Sequence, residues 1–208
     1  MKEIRMTQIV PVLGENIPQR GTVWSRQFWT NLVRLQGWKV LGEVPNIPKA
    51  VMIGAPHTSN QDGVIGLQMV LAMGLEIHLM AKNSLYRPPF RAAMDWLKMM
   101  PIDRTSSHGL VEQMCHAFDS HDKFWLGLAP EGTRDSSETW KSGFYRIAYA
   151  AKVPIVMVGF DFKNKNVKFL GCFEASGNFD ADLPKILAFY KNTSPANPER
   201  LSKPLRML

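Results

Sequence analysis

The sequence predicts an α/β fold: a single domain with a mixed, largely parallel sheet flanked by helices, and an N-terminal amphipathic helix. Three observations lead to this class. The chain has 208 residues, which is the usual size of one domain. Short apolar runs bounded by turn residues alternate with longer helix-like stretches. The 45% hydrophobic and 21% charged fractions are those of a folded protein, so a disordered chain is excluded.

The elements follow from apolar runs and their boundaries. Residues 51–55 form an apolar run that predicts a buried strand, and the N-cap residues Thr58, Ser59 and Asn60 precede a predicted helix over 61–73. Further strands are predicted over residues 77–81, 101–103, 123–128, 154–160 and 166–170, and further helices over 89–99, 109–119, 142–150 and 183–190. After Lys191 the Asn, Ser and Pro content predicts an irregular tail. The chain therefore divides into an N-terminal segment (1–45), a central domain (46–190) and a tail (191–208).

The N-terminal segment has a basic and aromatic character. Residues 20–39 carry four basic side chains and no acidic ones. On a helix one face would hold Trp24, Phe28, Leu32 and Leu35, and the opposite face would hold Arg26, Thr30 and Arg34. Such a helix suits the surface of an anionic membrane. It equally suits a helix that packs on the domain with its basic face in water, and the sequence leaves both interpretations open.

The net charge of +7 indicates an anionic partner: nucleic acid, a membrane surface or a phosphorylated substrate. Residues 20–39 contribute +4 and residues 82–104 contribute +3, so the rest of the chain is balanced. This distribution, with no recognised nucleic-acid motif, argues against a nucleic-acid binder. Cys115 and Cys172 have no metal-ligand spacing and cannot form a disulfide framework, so no metal site is predicted. No signal peptide or transmembrane helix is predicted either.

His57 and Asp62 form the first candidate catalytic pair. His57 directly follows the predicted strand 51–55, and a turn at this point can bring the Asp62 carboxylate back to the imidazole. A carboxylate on one ring nitrogen fixes the tautomer and stabilises the imidazolium that forms when the other nitrogen takes a proton. The pair therefore predicts a general base, although the spacing alone fits a structural turn histidine as well.

Two further groups of residues follow predicted strands. Glu131, Gly132, Thr133 and Arg134 come soon after the strand 123–128, where the glycine admits close approach of a ligand and the guanidinium suits a phosphate. Lys82 follows the strand 77–81, and Arg104 follows the strand 101–103. Ligands of α/β sheets bind beyond the carboxyl ends of the strands, so these residues predict an anion site beside His57. Taken singly, the same segments are also consistent with surface turns.

In combination these blocks resemble the glycerolipid acyltransferase family, best known for the 1-acylglycerol-3-phosphate (lysophosphatidate) acyltransferases. The resemblance covers residues 50–160. His57 and Asp62 match the HxxxxD block, residues 85–90 and 101–104 the second block, 131–134 the third and 153–156 the fourth. Residues 140–148 look like a small bacterial branch of that family without membrane spans. The resemblance implies a glycerol-3-phosphate acyltransferase-like fold.

The family resemblance also implies a reaction. An acyl group would pass from acyl-CoA or acyl carrier protein to the hydroxyl of a lysophospholipid, with no further cofactor. His57 would be the base and Asp62 would orient it. Lys82, Arg104 and Arg134 would hold the phosphate, while Glu131, Gly132 and Thr133 would shape the pocket. The expected location is cytoplasmic, with the protein peripheral on the inner face of the membrane at an anionic lipid surface.

The match has departures that leave other functions open. Lys98 and Met99 replace glycines that are common in this branch, and Asp135 puts a negative charge where a serine is frequent, beside the expected phosphate site. A thioesterase or lipid hydrolase could use the same His and Asp with water. A nonenzymatic protein that binds anionic lipid through its charge is the remaining alternative.

Overall fold

One sheet is the centre of this computed structural model, which describes residues 9–82, 88–89, 91–102 and 107–208. In the described part of the chain the strands are β1 (Lys39–Leu41), β2 (Lys49–Ala55), β3 (His78–Lys82), β4 (Met99–Ile102), β5 (Phe124–Leu128), β6 (Ile155–Asp161) and β7 (Asn166–Phe173). The helices are α1 (Val23–Leu35), α2 (Asn60–Met73), α3 (Arg91–Trp96), α4 (Ser107–Ser120), α5 (Gly143–Ala151), α6 (Phe179–Ala188) and the single turn α7 (Lys203–Arg206).

The strand order is β1-β7-β6-β2-β5-β3-β4. All neighbouring pairs are parallel except the hairpin of β6 and β7, which is antiparallel. The predicted mixed, largely parallel sheet is therefore confirmed. Because β2, β3, β4, β5 and β6 run in one direction, their carboxyl ends share one edge of the sheet, where ligands of such folds bind.

The core has two halves, one on each face of the sheet. Successive residues of β2 alternate between them, so Ala50 belongs to the half covered by α1 and α2, and Val51 to the half covered by α4, α5 and α6. Every residue of β6 is buried, as expected for a strand covered on both faces. The result is a helix–sheet–helix sandwich that holds the strand ends in place.

Four predicted elements differ from the observed ones, and one of them is the helix expected over 89–99, which is observed as Arg91–Trp96. The helix expected within residues 20–39 ends at Leu35, and Lys39 begins the unpredicted strand β1, whose three residues are too few to show a periodic pattern. The strand expected at 101–103 begins earlier, at Met99, where its backbone pairs with Leu79. Helix α6 begins at Phe179, because Asn178 caps it by accepting the Ala181 N–H.

Helix α1 turns a different face to the domain from the one the pattern suggested. The Arg26 Nε donates to the Arg20 carbonyl, and the Thr30 hydroxyl donates to the Ala72 carbonyl at the end of α2. Trp24 and Leu35 are 86% and 85% exposed. The expected basic face therefore lies partly against the protein, and most of the expected apolar face points to solvent.

The tail after Lys191 contains more order than its composition indicated. A 3-10 turn spans Pro198–Arg200, and α7 follows at Lys203–Arg206. Leu205 belongs to the hydrophobic core, and Ser202 is buried. Among the helices of the described residues, none combines the length and the apolar character needed to cross a bilayer.

Candidate active site

The turn between β2 and α2 brings His57 and Asp62 together. Ser59 caps α2, and the Asp62 Oδ2 accepts the N–H of Thr58 at 2.6 Å and that of Ser59 at 2.7 Å. The same oxygen lies 3.4 Å from the His57 Nδ1. The Asp62 side chain is fully buried, whereas that of His57 is 21% exposed. The imidazole therefore reaches solvent beside a fixed carboxylate, which is the geometry of a general base.

Glu131 links the ends of two strands. It lies just beyond β5, is 2% exposed, and its Oε2 accepts the backbone N–H of His57 at 2.6 Å. Its Oε1 accepts the Ser202 hydroxyl at 3.0 Å. Burial raises the pKa of Glu131, and the hydrogen bonds from His57 and Ser202 partly oppose this shift. Both carboxylate oxygens are thus engaged, so Glu131 holds the backbone of His57 in place.

The rest of the loop after β5 is exposed beside the same turn. Gly132 has a φ of +69°, a conformation that favours glycine. The Thr133 Oγ1 accepts the N–H of Asp135 at 3.2 Å. The Arg134 Nη1 donates to the Asn60 Oδ1, which places this guanidinium at the N-terminal end of α2. The guanidinium therefore lies at the start of the helix that also carries Asp62.

The remaining predicted site residues are only partly described. Lys82 is the last residue of β3, and its backbone is in register with Ile102, the last residue of β4. Arg104 lies outside the described residues, as does most of the second sequence block. The strand directions place Lys82 at the same edge of the sheet as His57 and Glu131.

Several residues that support the site were not identified from the sequence. Asn60 holds Arg134, Asn197 bonds to Thr58, and the Trp140 Nε1 donates to the Ser202 Oγ at 3.2 Å. Asn60 is the first residue of the helix that carries Asp62 and is one of the cap candidates named above, but its bond to Arg134 has no signal in the sequence. Asn197 and Ser202 lie in a stretch with no periodic pattern, and the sequence gives no signal for them.

The comparisons with known proteins identify the family of this chain. A family model described as Acyltransferase matches residues 39–161, which is more than half of the chain and includes His57, Asp62 and Glu131. The chain therefore belongs to the acyltransferase family and is an enzyme of that class. In fold it is similar to the 1-acyl-sn-glycerophosphate (LPA) acyltransferase PlsC from Thermotoga maritima. That crystal structure matches with a TM-score of 0.51 at 15% identity, over 74% of this chain and 69% of that one. No curated protein matches the sequence.

Proposed function

We propose that this enzyme is an O-acyltransferase that moves a fatty acyl group from acyl-CoA or acyl carrier protein to the hydroxyl of a lysophospholipid, such as 1-acylglycerol-3-phosphate. The observation that carries the proposal is the His57–Asp62 pair, 3.4 Å apart, braced by Glu131 at the carboxyl edge of the sheet. Membership of the acyltransferase family and the PlsC-like fold support it.

In the proposed mechanism, His57 is the general base. Its Nδ1 faces Asp62, so Nε2 takes the proton from the acceptor hydroxyl while that oxygen attacks the thioester carbonyl. The new C–O bond forms, the C–S bond breaks, and the imidazolium returns the proton to the departing thiolate. No acyl-enzyme is needed because a thioester is already activated, so the protein positions the reactants and moves one proton.

The acceptor phosphate is proposed to bind among Arg134, Lys82 and Arg104, with Gly132 and Thr133 in the pocket wall. The negative charge of Asp135 alone would disfavour an anionic acceptor. The Arg200 Nη1 lies 3.7 Å from the Asp135 Oδ1, so a tail cation offsets this negative charge. A phosphate beside Arg134 is therefore compatible with the local charge.

The test is an assay of purified protein with radiolabelled acyl-CoA or acyl carrier protein and 1-acylglycerol-3-phosphate. Labelled diacylated product would support the proposal. Release of labelled free fatty acid alone would favour a thioesterase or lipid hydrolase. Absence of turnover with every lysolipid and both donors would leave the lipid-binding alternative. The assay distinguishes these functions because each predicts a different labelled species.

The acceptor is a membrane lipid, and we propose that α1 binds the anionic inner face of the membrane. Trp24, Phe28 and Leu35 are exposed on α1 and repeat at helical spacing. Arg34 and Lys39 are exposed nearby and can contact anionic headgroups. Aromatic side chains with adjacent cations are typical of helices that lie in the membrane interface.

Replacing Trp24 or Phe28 with serine should lower the partition constant measured by sedimentation with anionic liposomes by about tenfold each, since each ring would no longer enter the apolar layer. Added salt should weaken binding of the unmodified protein. Tyr149→Ser is the matched control, because it removes an exposed aromatic side chain from α5, on the other face of the sheet. Equal binding by all variants would contradict the membrane role of α1.

A further inference from the structure

The tail contacts the turn that carries the candidate base before it reaches the core. Ser194 forms a parallel bridge with Asp161 at the end of β6, and its carbonyl accepts the N–H of Phe162. The chain then passes Thr58 at Asn197 and reaches Glu131 at Ser202. Leu205, just beyond, is anchored in the hydrophobic core. The segment 194–205 is therefore fixed at both ends and contacts the catalytic turn between them.

Asn197 holds the residue next to the candidate base. Its backbone N–H donates to the Thr58 Oγ1 at 3.1 Å, and its Nδ2 donates to the Thr58 carbonyl at 3.0 Å. Thr58 is fully buried, and its own N–H donates to Asp62. The N–H, the carbonyl and the side-chain oxygen of Thr58 are thus all bonded, which leaves the turn little freedom to shift.

Ser202 holds the same turn by a second route. Its hydroxyl donates to Glu131, whose other oxygen accepts the N–H of His57, and it accepts a hydrogen bond from the indole of Trp140. Ser202, Glu131 and Trp140 are all buried, so water does not readily replace these bonds. The backbone of His57 is therefore connected to the tail through one buried carboxylate.

We propose that Asn197 and Ser202 are positioning residues for the His57–Asp62 pair, so that the tail forms part of the catalytic apparatus of this acyltransferase. The proposal rests on the role proposed above for His57. The tail lies outside residues 39–161, which the family model covers, so neither residue is assigned by that match. A displacement of about 1 Å at a reacting group can cost roughly 10²-fold in rate, and both residues restrain the turn that carries the base.

The experiment compares Asn197→Ala and Ser202→Ala with Ser136→Ala. The control removes two hydrogen bonds between the tail and the domain, to Leu201 and from Arg206, without touching the catalytic turn. Each test variant should lower kcat about tenfold with KM for the acyl donor unchanged, and the double variant should approach 10²-fold. Equal kcat in all variants, or the same loss in the control, would overturn the proposal.

Amide hydrogen exchange gives a readout that does not depend on activity. The N–H groups of His57, Thr58 and Ser59 should exchange about tenfold faster in both test variants, since a restraining hydrogen bond is lost, and at the unmodified rate in the control. Unchanged protection in the test variants would overturn the proposal. If the unmodified protein transfers no acyl group but the amides still lose protection, the proposed function fails while the positioning contact is supported.

Discussion

Replacing His57 with alanine should lower kcat for acyl transfer by about 10³-fold, the loss expected when a general base is removed. The hydroxyl of the acceptor is a poor nucleophile unless its proton is taken during attack, and among the described residues His57 is the partly exposed imidazole that lies against a buried carboxylate. The rate of formation of the diacylated product, measured with saturating substrates, tests this.

Two further variants test the role of the Asp62 charge and control for the loss of a histidine. Asp62→Asn keeps an oxygen for the N–H groups of Thr58 and Ser59 but removes the charge that favours the imidazolium, so we expect a smaller loss of about 10²-fold. His116→Ala removes an exposed histidine from α4 and should retain full activity. Activity of His57→Ala within tenfold of the unmodified enzyme would show that another group takes the proton.

Replacing Glu131 with alanine should lower the free energy of unfolding by about 3 kcal/mol. The substitution leaves the partly buried His57 N–H and the buried Ser202 hydroxyl without their acceptor, and an unpaired buried donor costs about 1–3 kcal/mol. Urea unfolding followed by tryptophan fluorescence measures the change. A loss below about 1 kcal/mol would mean that the turn finds other partners.

Glu131→Gln tests the charge separately. Because burial raises the pKa of Glu131, the native state binds this proton more tightly than the unfolded state does. The stability that results is present below the unfolded pKa and is lost as the pH rises through the raised native pKa. Glutamine has no such dependence, so the Tm of Glu131→Gln minus that of the unmodified protein should increase from about pH 4 to about pH 8. A constant or falling difference would contradict the raised pKa.

Much of the site could be predicted because its position follows from two general rules, one for parallel strands and one for helix caps. Parallel strands bring their carboxyl ends to one edge, which puts His57 and Glu131 together although they are far apart in sequence. The cap residues before α2 predicted the turn that returns Asp62 to His57, and the structure has that turn. The catalytic roles of these residues stay predictions, whereas their proximity is a property of the fold.

The parts that could not be predicted depend on long-range contacts. Helix α1 has apolar residues on more than one side, and the face that packs is the one with the buried Val33 and with Trp29, which contacts the core. Asn197 and Ser202 contact residues of the turn and loop that lie far back in the chain. The composition of their segment predicted irregular structure, and no local sequence pattern predicts a contact with a residue so distant in the chain.

Asp62 is at once the orienting carboxylate of the pair and the residue that closes the first turn of α2. One of its oxygens accepts the N–H groups of Thr58 and Ser59, just before the helix, and also faces the imidazole. The contact between His57 and Asp62 therefore requires that turn to be formed. Opening of this single turn would separate the two side chains while the sheet stays intact. We therefore expect that local opening of this turn is enough to abolish activity on heating, before the core unfolds.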